Sequence, residues 1–72
     1  MKKVRKNQQA PDLRYMKVDE EVHVNGGVLY LKNCVVQVWW DSGPETWWLP
    51  SSKENRQIAK EFFQAKKEEL TF

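Results

Sequence analysis

The sequence predicts an α+β domain: a small antiparallel sheet of three to five strands, built as two hairpins and packed against one C-terminal helix. Three observations carry this. Apolar, β-branched blocks flank Asn25-Gly26-Gly27. A second pair of blocks, rich in valine and tryptophan, flanks Asp41 to Glu45. Beyond Pro50 the apolar residues change from strand spacing to helical spacing.

Residues 1–12 are polar and basic, with Gln8, Gln9 and Pro11, and their sizeable apolar side chains are Met1 and Val4. Such a segment has little apolar surface to offset the entropy of ordering, so an unstructured basic N-terminal tail is expected before a single α+β domain at residues 13–72. Leu13 to Val18 is a strand candidate, in which Leu13, Tyr15 and Lys17 alternate with Arg14, Met16 and Val18.

Glu21-Val22-His23-Val24 and Val28-Leu29-Tyr30-Leu31 read as the arms of a hairpin. Asn-Gly between them supplies the positive φ angles of a tight primed turn. A two-residue loop sets Val22 opposite Leu29, and a three-residue loop ending in a glycine bulge sets Val22 opposite Tyr30. Lys32-Asn33 is the expected turn into the next strand. That strand, Cys34 to Trp40, is apolar except for Gln37. Its near-continuous apolar character predicts a central strand covered on both faces.

Asp41-Ser42-Gly43-Pro44-Glu45 has turn chemistry, and Thr46 to Leu49 reads as the returning strand, ended by Pro50. Four tryptophans thus fall in ten residues: Trp39, Trp40, Trp47 and Trp48. A five-residue loop opposes Trp39 to Trp47, and another register opposes Trp40 to Trp47 and Trp39 to Trp48. Because neighbouring strand residues point to opposite faces, either register puts two tryptophans on each face. One pair can face the helix, and the other needs different cover.

Ser51-Ser52-Lys53-Glu54 matches a capping box, with Ser51 at the N-cap and Glu54 three residues on. Ile58, Ala59, Phe62, Phe63, Ala65 and Leu70 then recur on one helical face, which predicts a helix from about Ser52 to about Glu69.

Composition narrows the functional classes. The net charge of +2 divides unevenly: residues 1–17 hold six basic residues and one acid, whereas residues 18–72 hold six basic residues and nine acids. A basic arm therefore precedes a mildly acidic body. No apolar run approaches the roughly 20 residues of a membrane span. Met1-Lys2-Lys3 leads into polar residues, unlike a secretory signal. The lone cysteine, Cys34, cannot form an internal disulfide, so a cytoplasmic, reducing setting is expected. One His and one Cys do not make a metal-ligand pattern, and no nucleophile, phosphate loop or cofactor motif is present. His23 is expected as a strand residue and Cys34 as a small buried thiol.

The expected function is that of a small non-enzymatic regulatory or inhibitory protein, of the size class that viruses and mobile elements encode. It binds a protein partner, or a second copy of itself, through Trp39, Trp40, Trp47 and Trp48 with Asp41 and Glu45 beside them. The alternative is nucleic-acid binding led by Lys2, Lys3, Arg5, Lys6, Arg14 and Lys17 with aromatic stacking. Against it stands the absence of any positive charge between Cys34 and Pro50. No cofactor, metal or membrane association is expected.

Overall fold

The computed structural model describes the backbone of Arg5 and Lys6 and all of residues 11–71. A five-stranded antiparallel sheet packs one face on a C-terminal helix. The strands are β1 (Arg5–Lys6), β2 (Glu20–Val24), β3 (Gly27–Lys32), β4 (Val35–Trp40) and β5 (Gly43–Trp48), and the helix is α1 (Lys53–Leu70). Spatial order is β1-β5-β4-β3-β2, so β4 is central, as its apolar run predicted.

The first hairpin takes the two-residue loop, with Val22 opposite Leu29 and Val24 opposite Gly27. Its turn is not the primed one expected from Asn-Gly. Gly26 has φ +86°, but Asn25 keeps a negative φ; a single positive angle at the second loop position is the pattern of a type II turn. The next turn lies one residue later than expected. Lys32 still pairs with Val35, and Asn33 and Cys34 form the loop. Asn33 adopts the left-handed conformation there at φ +54°, and its N–H donates to Asp19 Oδ2 at 2.7 Å.

The second hairpin departs from both expected registers. Its loop is only Asp41-Ser42: Trp40 pairs with Gly43, Trp39 with Pro44, Val36 with Trp47 and Val35 with Trp48. Gly43-Pro44 looked like the centre of the turn but opens β5 instead. Gly43 has φ +128°, a conformation that side chains disfavour. In this register the ring nitrogen of Pro44 points away from β4, so its missing N–H takes no bond from the β4–β5 ladder.

Two further expectations are corrected. Leu13–Tyr15 is one turn of 3-10 helix rather than a strand. Asp12 caps it by accepting from Arg14 N–H at 3.0 Å, which holds the backbone away from extended geometry. The N-cap of α1 is Ser52 and not Ser51. Its Oγ accepts from Asn55 N–H at 3.0 Å, so Asn55 takes the position expected for Glu54. The Asn55 side chain turns inward and donates to Pro50 O at 2.8 Å.

On the α1 side of the sheet, Ala59 and Phe63 pack on Leu29, Leu31, Val36 and Val38, with Cys34 and Leu49 completing the buried cluster. Half-buried Trp40, Trp47, Ile58, Phe62 and Leu70 surround it, whereas Ala65 is exposed and lies outside the expected apolar face. The helix end is tied to the first hairpin, since Asn25 N–H donates to Leu70 O at 3.0 Å. Trp40 lies across Gly27: a Cβ on Gly27 would stand 2.4 Å from Trp39 O and 2.8 Å from Trp40 Cε3. A backbone oxygen cannot yield as a flexible side chain can. Gly27→Ala is therefore expected to cost about 1–3 kcal/mol through overpacking, read as a lower urea midpoint at unchanged m-value.

Candidate functional site

The observed register settles which tryptophans share a face. Trp40 and Trp47 lie on the α1 side with Val36 and Val38, whereas Trp39 and Trp48 lie on the opposite side with Val35, Gln37 and Thr46. The two-and-two division therefore holds, although Trp39 and Trp40 do not oppose Trp47 and Trp48. All four rings are half-buried, so neither pair forms a bare platform.

Cover for the second face comes from the segment before β2. Leu13, 1% exposed, sits over the sheet at Gln37, itself 1% exposed. A buried amide must satisfy two donors and an acceptor oxygen with two lone pairs. Gln37 Nε2 donates to Pro11 O (2.9 Å) and Thr46 Oγ1 (2.8 Å), and its Oε1 accepts from Leu13 N–H (2.8 Å) and Trp39 Nε1–H (2.7 Å). One side chain thus joins β4, β5, the 3-10 turn and the Trp39 indole. The single polar interruption of the β4 apolar run is the anchor for the cover of this face.

Arg14 completes the arrangement. Its guanidinium carbon lies 3.5 Å from the Trp39 ring centroid and 5.0 Å from that of Tyr15. Asp12 holds it from the other side: Nε donates to both carboxylate oxygens at 3.0 and 3.1 Å, and Nη2 to Oδ2 at 2.7 Å. These hydrogen bonds keep the Asp12 carboxyl below its ordinary 3.8. Burial raises the pKa of the Tyr30 phenol on the same face, reinforced by the charge of Glu21.

Beyond this cover, two large apolar side chains face solvent. Tyr15 is 81% exposed and Met16 is 41% exposed, the only such residues among those described. They follow directly from the local fold, since one turn of 3-10 helix that points Leu13 inward must turn Tyr15 outward. Sequence reasoning weighed Arg14 only as part of the basic arm, and Tyr15 and Met16 only as strand residues.

Asp41 is exposed in the β4–β5 turn, while Glu45 lies on the α1 side and accepts from Trp40 Nε1–H at 3.2 Å. Trp47 packs against Phe62 with centroids 5.4 Å apart, and Lys66 Nζ lies 5.0 Å from its ring. Although no positive charge lies between Cys34 and Pro50, Arg14 and Lys66 reach the tryptophans from distant parts of the sequence. Arg5 and Lys6 fall within the segment expected to be unstructured, yet their backbones form β1 and pair with Trp48 and Trp47. Lys2 and Lys3 lie outside the described residues. Lys17 O accepts from Lys32 Nζ at 3.0 Å.

His23 is exposed on β2 and Cys34 is buried beyond the far end of β3, so the two do not meet. Among the described residues no cluster of His, Cys, Asp and Glu could hold a metal ion, and no helix is long and apolar enough to cross a membrane. Comparison with protein-family models, curated proteins and solved structures finds no match.

Replacing Gln37 by leucine keeps the volume but leaves Leu13 N–H, Trp39 Nε1–H and the buried Thr46 Oγ1 without their Gln37 partner. Each buried group left unsatisfied costs about 1–3 kcal/mol. Gln37→Leu is therefore expected to lose at least about 2 kcal/mol, with the Leu13 amide exchanging faster than amides at the β3–β4 ladder centre.

Proposed function

We propose that this chain is a small non-enzymatic regulatory or inhibitory protein that binds a protein partner through the sheet face opposite α1. Its contact cluster is Trp39, Arg14, Tyr15 and Met16, with Trp48 beyond them. The observation that carries the reading is the solvent exposure of Tyr15 and Met16 beside an arginine stacked on Trp39. Trp, Tyr and Arg are the residue types enriched at binding hot spots. The Asp12 clamp supports the same reading, because a fixed guanidinium has less conformational entropy to lose on binding.

Tyr15 and Met16 can be changed without touching the core. Photo-crosslinking from position 15, followed by mass spectrometry, identifies the partner. A Tyr15→Ala/Met16→Ser variant is then expected to bind that partner about tenfold or more weakly with its thermal midpoint unchanged. Equal affinity in a folded variant would move the contact surface elsewhere.

The second reading is single-stranded nucleic-acid binding by the basic arm, and the β1–β5 pairing favours it. That pairing sets the backbone of Arg5 beside Trp48, close to the aromatic face, despite their separation in sequence. It predicts oligonucleotide affinity that falls steeply with added salt, with a shallower slope when Lys2 and Lys3 are changed to glutamine. Anisotropy that does not respond to the oligonucleotide at low salt would remove this reading.

A further inference from the structure

We propose that the chain forms a symmetric dimer by antiparallel pairing of β2 with β2 of a second copy. This surface is the outer edge of β2, two strands away from Trp39 on β4, and does not depend on the reading above.

Among the described residues β2 closes one side of the sheet, with β3 as its strand neighbour. Asn25-Gly26 joins β2 to β3, with Val24 paired to Gly27. A two-residue hairpin loop closes on a hydrogen-bonded pair, and such pairs alternate along an antiparallel ladder. Val24, Val22 and Glu20 therefore bond toward β3. The N–H and C=O groups of Glu21 and His23 point away from it. At the start of the strand, Asp19 N–H also turns inward, to Leu31 O at 2.8 Å. At its end, Asn25 N–H is taken by Leu70 O. Among the described residues the outward bonding capacity of β2 is thus confined to Glu21 and His23, symmetrically about Val22.

The strand Glu20-Glu21-Val22-His23-Val24 complements its own reverse at Glu21 and His23, the two positions that bond outward. With a two-fold axis there, Val22 meets its own copy, Glu20 meets Val24, and Glu21 meets His23 on both sides of the axis. The outward N–H and C=O groups of Glu21 then pair with those of His23 in the other copy. These are the hydrogen-bonded positions of the new ladder, and the Val22 pair is the closer, non-bonded position between them. The side chains agree with the backbone: an imidazole N–H of His23 can donate to the Glu21 carboxylate across the ladder.

Neighbouring registers are worse. Centring on Glu21 sets two carboxylates face to face, which is destabilising. Centring on His23 gives no carboxylate partner to the imidazole. Edge charges that repel foreign strands thus become a code for one self-pairing. The edge is also accessible, since Glu21 and His23 are exposed and Val22 between them is half-buried. A two-fold axis perpendicular to the sheet keeps both helices on one face, and the two sheets join into one of ten strands.

Sedimentation velocity from micromolar to millimolar protein tests this. Wild type is expected to show a concentration-dependent monomer–dimer equilibrium. His23→Glu faces each carboxylate with another and is expected to weaken association about tenfold or more. The double variant Glu21→Lys/His23→Glu exchanges the two roles and is expected to restore it. That rescue separates loss of pairing from loss of fold, and Tyr15→Ala is expected to leave association unchanged. A wild type that stays monomeric throughout overturns the proposal. So does a dimer whose affinity is unmoved by His23→Glu, or a folded double variant that fails to recover.

Discussion

The sheet face opposite α1 is organised around one buried amide. Gln37 lies at the middle of the central strand, where an apolar residue would be the simple choice. Its polarity is tolerable because each of its donors and both lone pairs are used, by a strand neighbour, an indole and two backbone groups before β2. A partly satisfied amide at that depth would be worse than a leucine. The network therefore demands that Pro11, Leu13, Thr46 and Trp39 be in place together. It makes the position of the Leu13 turn, and hence of Arg14 and Tyr15, a consequence of the β4–β5 register.

That register also explains the division of labour among the tryptophans. Trp40 and Trp47 enlarge the layer under α1, where Gly27 leaves space for one ring and Phe62 meets the other. Trp39 is fixed from below by Gln37 and capped from above by Arg14. An indole held on both sides is a rigid element, and what it presents outward is the edge of a cation stack rather than a bare ring. The side that faces solvent therefore combines aromatic area with a fixed positive group.

Much of the architecture was legible from side-chain periodicity. The α+β class, the central place of β4 and the single helix all follow from which positions are apolar, whereas the pattern leaves both Leu29 and Tyr30 open as the partner of Val22. The misreadings share a cause: local turn chemistry was weighed without its sheet context. Gly43-Pro44 signals a turn in isolation, but a proline whose ring nitrogen points away from the β4–β5 ladder fits a strand just as well. Ser51 and Ser52 are equally good caps, and the inward fit of Asn55 decides between them. The site was less legible. Nothing in the sequence near the tryptophans announces Arg14, because its approach depends on a cover segment anchored by a long-range hydrogen bond. Gln37 was visible only as an interruption, although a lone amide in a valine-rich strand is a usable signal that something polar must reach it.

The hairpin loops after β2, β3 and β4 are each two residues long, so the four-stranded meander is assembled from contacts between near neighbours along the chain. Its two covers are different: the Leu13 turn reaches Gln37 from before the meander, and α1 returns as far as the first hairpin through Leu70 and Asn25. Close-range contacts form fastest because little loop-closure entropy opposes them. The kinetic consequence is a chain whose ladder can zip early while both its surfaces are still wet, and whose commitment to the native state waits on two dockings from opposite directions. Until both have occurred, valine and tryptophan side chains stand open on the sheet, and that interval is when the chain is most exposed to aggregation.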